Sequence, residues 1–254
     1  SRIPEKVLEE IDKLLLEGFR EIILIGINLG DYGKDLKEEI NLEDLVRNIL
    51  KKDLLQRVRI GSVYPDRITE SFMTLFDHPK MMPHLHISLQ SCDDTVLRNM
   101  RRNYGKDVIL KALFSLRKKV PMMEYTADVI VGFPGETEEM FQNTYDSLEK
   151  IGFSHLHIFP YSDREGTIAS RMEHKIQTGV KRERVGILEN LQKKIEEDRR
   201  KYYLGKRLEV LIEEEKDGYW WGYSPNYLRV KIRGKNLSIN SMVQVKVEQV
   251  EKGD

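Results

Sequence analysis

The stretch that decides the fold reads Thr126-Ala127-Asp128-Val129-Ile130-Val131-Gly132-Phe133-Pro134-Gly135-Glu136-Thr137. Its first half is a short apolar run rich in β-branched residues, which is typical of a buried strand. Gly132 and Gly135 permit a tight turn that brings the backbone close to a ligand. A helix is predicted from Thr137 onward, and the start of a helix offers backbone amides without intrahelical partners. The stretch therefore predicts a strand, a ligand-binding turn and a helix.

The same alternation of strand and helix extends in both directions from this stretch. Strand-like segments occupy residues 21–29, 57–63, 84–90, 125–131 and 155–161, and a helical pattern separates each from the next. Strands joined in this way predict an α/β fold with a parallel sheet, either open or curled. Because such units start with a strand and this chain starts with a helix near Pro4, we expect a first strand upstream of Ser1.

Composition limits the class of protein. The chain has 254 residues, 40% hydrophobic and 33% charged, which suffices for a full core and a small second domain. No apolar run approaches the ~20 residues of a membrane span, and no secretory signal is visible, so we expect a cytoplasmic protein without membrane contact. The single cysteine, Cys92, excludes an intrachain disulfide. The net charge of zero means that any signal for nucleic acid must be local.

Polar residues and glycines lie at the end of each predicted strand, where parallel β/α folds bind their ligands. The candidates are Asn28, Ser62, Gln90, Ser91, Asp128, Gly132, Tyr161 and Ser162. Alternatively, such residues only cap helices or complete turns. Asp128 is the sharpest candidate, because an ionised carboxylate inside an apolar strand requires a partner such as a ligand ammonium or hydroxyl.

The pattern changes after a long charged helix at residues 181–204. Segments 208–212, 219–223, 228–232 and 242–247 alternate at the period of a strand and predict a small antiparallel β-barrel. Small barrels of this kind bind RNA when aromatic rings lie beside basic residues. The predicted RNA contacts are Trp220, Trp221, Tyr223, Arg229, Lys231 and Arg233. Alternatively, the aromatic residues fill the barrel core and the basic residues form a solvated strand face.

Residues 126–137 resemble a signature of the methylthiotransferase branch of radical-SAM enzymes, and matches extend over nearly the whole chain. They include Ser1-Arg2-Ile3-Pro4-Glu5, Gly26-Ile27-Asn28, His84-Leu85-His86-Ile87-Ser88-Leu89-Gln90-Ser91, Leu97-Arg98-Asn99-Met100-Arg101-Arg102-Asn103-Tyr104 and Phe159-Pro160-Tyr161-Ser162. The resemblance implies a partial (β/α)6-type radical-SAM barrel that lacks its first strand, at residues 1–180. A connecting helix at 181–204 and an OB-like TRAM barrel at 205–254 complete the implied organisation.

The resemblance also implies cofactors. S-adenosylmethionine would bind against a [4Fe-4S] cluster, in a pocket formed by Asn28, Ser62, Gln90, Ser91, Asp128, Gly132, Phe133, Gly135 and Tyr161. The family's cluster cysteines, spaced CxxxCxxC, are expected upstream of Ser1. A second [4Fe-4S] cluster is expected in a separate domain, which also lies upstream. The intact enzyme would therefore hold two clusters, and this segment none. Cys92, Ala127, Gly61 and Tyr64 depart from the family pattern.

Ser88 and residues 155–161 are most similar to the branch that acts on N6-threonylcarbamoyladenosine. The implied activity of the intact enzyme is addition of a methylthio group to C2 of that nucleoside at tRNA position 37. Its implied partners are the tRNA anticodon arm and a reductant protein. One alternative is a methylthiotransferase that acts on isopentenyladenosine in tRNA or on an aspartate of a ribosomal protein. The others are a non-catalytic RNA-binding module, for this segment alone, and an ordinary β/α-barrel enzyme. For the last, no paired carboxylates or histidine–nucleophile pair stands at the strand ends.

Overall fold

Five parallel strands form the first sheet of the computed structural model, which describes residues 1–250. The strands are β1 (Glu21–Leu24), β2 (Arg57–Val63), β3 (Met81–Gln90), β4 (Glu124–Val131) and β5 (His155–Pro160). They lie in the order β1-β2-β3-β4-β5, which confirms the predicted parallel sheet. Strand β1 is shorter than predicted, because as an edge strand it pairs only with residues 57–60 of β2. Beyond it, Ile27 is 98% exposed.

Helices cover one face of this sheet. They are α1 (Pro4–Leu16), α2 (Leu42–Leu50), α3 (Glu70–Met73), α4 (Asp94–Asn99), α5 (Lys106–Lys119) and α6 (Glu138–Ile151). Alternate residues of β4 point toward them: Tyr125, Ala127 and Val129 are fully buried, and the Tyr125 hydroxyl donates to the Leu113 carbonyl of α5. Because side chains alternate along a strand, the residues between them lie on the opposite, inner face.

The long helix α7 (Thr178–Tyr203) leads into a second sheet. Leu188 and Leu191 of α7 belong to the first core, whereas Tyr203 belongs to the second. The second sheet contains β6 (Arg207–Lys216), β7 (Tyr219–Tyr223), β8 (Arg229–Ile232) and β9 (Met242–Lys246). Helix α7 therefore packs against the first domain before it reaches the second.

The second sheet is an open half-barrel. Its strands are antiparallel in the order β8-β7-β6-β9, and within residues 1–250 no pairing joins β8 to β9. The predicted small antiparallel barrel is therefore present as a half-barrel, in which the edge strand β8 has only four residues and none of the nine residues between it and β9 forms a strand. Residues 251–254 of the predicted domain lie outside the described range. In the range that is described, no helix is long and apolar enough to cross a membrane.

Arg59 of β2 joins the two sheets. Its side chain is 1% exposed, and its Nε donates to Glu21 Oε1 at 2.6 Å. The two terminal nitrogens donate to backbone carbonyls of the second domain, Pro225 O at 2.6 Å and Ser224 O at 2.8 Å. A buried guanidinium is stable only when its donors are paired. Arg59 therefore depends on both the first sheet and the second domain.

Arg57 repeats this arrangement two residues earlier on the same face. Its terminal nitrogens donate to Tyr223 O at 2.8 Å and to Glu209 O at 3.0 Å, and it is also 1% exposed. Glu21 lies 3.7 Å from Arg57, so one carboxylate serves both arginines. The two guanidinium groups fix the turn after β7 against the first sheet.

His84 and Glu124 continue the contact on the next two strands. The ring of His84 stacks on Tyr227 of the second domain with centroids 4.7 Å apart. Burial and the charge of Arg59 lower the pKa of His84 to about 3, so its imidazole is neutral at physiological pH. Burial raises the pKa of Glu124, which accepts a hydrogen bond from the Tyr203 hydroxyl at 2.9 Å. The amino-terminal half of the inner face is therefore covered by the second domain.

We expect Arg59→Ala to lower the free energy of unfolding by about 3–5 kcal/mol, because it leaves two buried carbonyls without their donor and leaves Glu21 with only the more distant Arg57, 3.7 Å away. Urea titration followed by far-UV circular dichroism measures the change. Arg229→Ala is the control, because Arg229 is 52% exposed in its ion pair with Glu214 and should cost at most about 1 kcal/mol. Equal losses in the two variants would contradict this account of the domain contact.

The pH dependence of stability should report the neutral state of His84. Its pKa rises from about 3 in the folded chain to 6.5 in the unfolded chain, so below pH 6.5 the unfolded state binds the extra proton. Stability should therefore fall on acidification through this window, by at most about 1.4 kcal/mol per pH unit. The difference in unfolding free energy between wild type and His84→Phe, measured from pH 7 to pH 4, should shrink accordingly. A difference that stays constant over this pH range would contradict the neutral, buried state of His84.

Candidate functional site

Three ionisable side chains meet on the inner face beyond the covered half. His86 lies on β3, Asp128 on β4 and His157 on β5, and Asp128 and His157 are register partners. One ligand atom from each lies within 4.8 Å of the others. Burial and the neighbouring histidines lower the pKa of His157, so it is largely neutral at physiological pH. The cluster can bind a cation or exchange a proton.

His86 is held in one orientation by its neighbours. Its Nδ1 lies 2.9 Å from the Thr126 hydroxyl, and its Nε2 lies 3.2 Å from Asp128 Oδ2. Asp128 thus has a partner within the protein, which the sequence prediction did not identify. The signal was present, since His84-x-His86 and His155-x-His157 both repeat at the period of a strand. The two histidine pairs lie on strands that flank β4.

Ser62 and Gln90 lie near the carboxyl ends of β2 and β3. A register irregularity between Ile60 and Ser62 turns Ser62 toward β3, where its hydroxyl lies 2.9 Å from that of Ser88. Gln90 has a φ of 68°, a left-handed conformation that is uncommon outside glycine. Strained backbone of this kind occurs preferentially at functional sites. Both residues remain candidates for contact with a ligand.

Ser91 lies on the other side of the sheet. Its hydroxyl is buried 3.0 Å from Thr144 of α6 and accepts a hydrogen bond from the Asp93 amide. The side chain points into the helix layer, because the chain turns after Gln90 toward α4, and the contact of Ser91 with a cofactor stays a prediction.

Asn28 lines a cavity of about 290 Å³ beside the loop after β2. Its amide donates to Asp31, and the cavity also contains Tyr64, Arg67 and Arg102. The other predicted cofactor residues, all within the described range, do not line this cavity. The structure therefore places Asn28 apart from the His86 cluster.

The glycine turn has the predicted backbone, and the amides of its two glycines have partners within the chain. Gly132 and Gly135 have φ of 73° and 82°. The Gly132 amide donates to the carboxylate of Glu136 at 3.1 Å, and the Gly135 amide to His174 O at 3.0 Å. Glu136 in turn accepts a hydrogen bond from Arg184 of α7 at 2.6 Å. Sequence analysis missed this buried ion pair, which fixes the Gly132 amide; the predicted contact of the turn with a cofactor stays a prediction.

Phe133 and Tyr161 form an apolar wall beside this turn. Their rings meet edge to face with centroids 5.1 Å apart. The Tyr161 hydroxyl donates to Asp163 Oδ1 at 3.0 Å, and Lys181 of α7 donates to the Tyr161 carbonyl at 2.9 Å. Phe133 is 5% exposed, so Tyr161 forms the more accessible part of this wall.

Cys92 is a buried thiol, as expected. It is 1% exposed, and burial raises its pKa to about 12. Iron–sulfur clusters are held by several thiolates, so a single protonated thiol does not fit one. The cysteine instead packs in the core between β3 and α4.

Aromatic and basic side chains share one face of the second sheet. The Arg229 guanidinium lies 4.5 Å above the ring of Trp221, and Lys231 lies 4.3 Å above Tyr219. Arg233 donates to the Tyr219 hydroxyl at 3.2 Å. The predicted alternation thus places Arg229, Lys231 and Arg233 together, beside rings on β7.

Two of the predicted stacking residues are otherwise engaged. Trp220 packs against the core of the second domain, because it alternates with Trp221 and faces the opposite side of β7. Tyr223 stacks on Tyr227, with centroids 4.6 Å apart and planes inclined by 17°. The stacking of Trp220 on RNA stays a prediction, while Trp221 is the ring that lies beside the basic residues.

Known proteins match the first part of this chain and also nearly its whole length. A family model described as the Radical SAM superfamily matches residues 1–148. A threonylcarbamoyladenosine tRNA methylthiotransferase, MtaB, of Bacillus subtilis (strain 168) is 39% identical over 97% of this chain and 56% of its own length. A tRNA-2-methylthio-N(6)-dimethylallyladenosine synthase of Acetivibrio thermocellus is 33% identical over 99% of this chain and 53% of its own. The chain thus spans about half the length of these relatives.

A solved structure shares the fold at low sequence identity. Coproporphyrinogen III oxidase (HemN) from Escherichia coli superposes with a TM-score of 0.56 at 15% identity, over 74% of this chain and 46% of its own. That protein is described as a radical SAM enzyme. The match over residues 1–148 and the two relatives show that the chain belongs to the methylthiotransferase family of the radical-SAM superfamily.

Proposed function

We propose that this chain is the barrel and RNA-binding part of an enzyme that adds a methylthio group to C2 of N6-threonylcarbamoyladenosine at tRNA position 37. The observation that carries the proposal is the 39% identity to the Bacillus subtilis enzyme over 97% of this chain. The arrangement of the inner face supports it. An open polar surface at the carboxyl half of the sheet is joined through Arg57 and Arg59 to an aromatic and basic surface.

S-adenosylmethionine, when bound, supplies the radical chemistry and the methyl group. This chain's residues bind and orient it. Gln90 offers an amide that donates and accepts, and Asp128 offers a carboxylate for an ammonium or hydroxyl group. Phe133 and Tyr161 provide an apolar wall that excludes water from one side. The iron–sulfur clusters, two in the intact enzyme, require ligands other than Cys92.

The second domain is proposed to bind the anticodon arm of tRNA. Cationic groups over aromatic rings provide both phosphate contacts and a stacking surface.

Two alternatives differ in substrate or in chemistry. The Acetivibrio thermocellus relative, 33% identical, carries a name that specifies dimethylallyladenosine, which favours that substrate as the second candidate. For residues 1–254 alone, a non-catalytic RNA-binding module is favoured by the buried state of Cys92, the one cysteine of the sequence.

The intact enzyme, prepared without oxygen and with a reductant, should methylthiolate tRNA that carries N6-threonylcarbamoyladenosine and leave isopentenyladenosine tRNA unchanged. Mass spectrometry of digested nucleosides measures both products. Methylthiolation of the isopentenyl substrate alone would replace the proposed substrate by the second candidate.

Asp128→Ala should weaken S-adenosylmethionine binding about 10-fold to 100-fold, because a charge-assisted contact is lost, while tRNA affinity stays the same.

Asp77→Ala is the matched control for Asp128→Ala. Asp77 is an exposed carboxylate paired with Lys119 on the helix side, so its removal should change neither ligand's affinity. If Asp128→Ala leaves S-adenosylmethionine binding as tight as Asp77→Ala does, the proposed contact with the cofactor is wrong.

Binding of anticodon-arm RNA by this chain should depend on Arg229, Lys231 and Arg233. Their triple replacement by glutamine should weaken binding and reduce the slope of log affinity against log salt by up to about 3, because each phosphate contact releases counterions. Fluorescence anisotropy across a salt series measures both quantities. The control replaces three exposed lysines of the first domain by glutamine, Lys111, Lys118 and Lys150, with the same change in charge. Equal effects of the two triple variants would show that only overall charge matters.

A further inference from the structure

His86, Asp128 and His157 form a compact donor set that the proposed activity does not use as a unit. Each comes from a different one of three neighbouring strands, and all three point to the inner face. Two imidazoles and one carboxylate lie with ligand atoms within 4.8 Å of one another. Regular strands hold their backbones in fixed register, so the set is preformed by the sheet.

The hydrogen bonds around His86 direct one lone pair into this cluster. The Thr126 hydroxyl lies 2.9 Å from His86 Nδ1 and 3.4 Å from His84 Nε2. When the hydroxyl proton points to His84, its oxygen accepts the Nδ1 proton of His86. His86 Nε2 then presents a lone pair toward Asp128 Oδ2, 3.2 Å away. Two acceptors face one another in this arrangement, and a cation between them stabilises it.

The same pattern is typical of metal-binding histidines, which donate their second ring nitrogen to a fixed neighbour. His155 does not share this role, although it lies on the same face of β5. Its Nδ1 is 2.9 Å from Glu196 and 3.0 Å from the amide of Gln192. The donor set is therefore limited to the three clustered residues.

We propose that His86, Asp128 and His157 bind a divalent first-row transition metal ion such as Zn²⁺ on the inner face of the sheet. Imidazole and carboxylate donors in this ratio suit zinc and ferrous iron, with further positions open to water or another ligand. Metal–donor bonds of about 2.1 Å place donors about 3.4 Å apart in a tetrahedron. The exposed side chain of His157 has the freedom to close the remaining distance. This inference does not rest on the proposed methylthiotransferase activity.

The test uses the chain after chelator treatment, with Zn²⁺ titrated against a chromogenic chelator and Co²⁺ followed by its visible d–d absorption. The wild-type chain should bind one ion, with cobalt bands that report nitrogen and oxygen donors. His157→Gln should weaken zinc binding by more than about tenfold, since it removes one of three ligands. Because His157 is exposed and outside the proposed cofactor contacts, its loss should leave the far-UV spectrum unchanged.

His155→Gln is the matched control, because it removes a histidine two residues away on the same strand and face. It should retain zinc binding within about twofold of the wild type. The proposal is overturned if the wild type binds no stoichiometric ion, or if both glutamine variants lose affinity equally, as adventitious binding to surface histidines predicts. In the intact enzyme, His157→Gln should still bind S-adenosylmethionine, so failure of the metal site is distinct from failure of the proposed function.

Discussion

The contact of Arg57 and Arg59 with the second domain determines how the two halves of the molecule are arranged. Both guanidinium groups are buried, and removing such charges from water carries a large cost unless most of their donors find acceptors, as all but Arg57 Nε do here. Glu21 supplies part of the compensation, and carbonyls from Glu209 and residues 223–225 supply the rest. Neither domain alone completes this set. The interaction therefore favours a single relative placement of the two sheets over a flexible connection.

The inner face of the first sheet is divided by this contact. Its amino-terminal half carries Arg57, Arg59 and His84, and is closed by Tyr227 and the turn after β7. Its carboxyl-terminal half carries His86 and Asp128 and stays partly exposed. Continuous alternation along β3 and β4 produces both halves from the same strands. Packing of the second domain thus buries one half of this polar face and leaves the other half accessible to a ligand.

Much of the fold follows from sequence because it depends on local periodicity. The strand at 124–131 and the helix after it are set by apolar spacing and by glycines that take positive φ. Side-chain partners are harder to predict. Arg184 forms an ion pair with Glu136 although the two residues are 48 positions apart in the sequence. No residue near position 136 indicates this partner. The phase of β7, which puts Trp220 inside and Trp221 outside, depends on packing against the second core.

The acceptors for Arg57 and Arg59 in the second domain are mostly backbone carbonyls. A carbonyl is present whatever side chain a residue carries, so this contact recognises the path of the chain and not its chemical identity. Sequence drift at Tyr223 or Pro225 leaves the acceptors in place. An insertion or deletion in the turn after β7 displaces them together. The length of this turn therefore matters more to the arginine contact than the side chains of Tyr223 and Pro225 do.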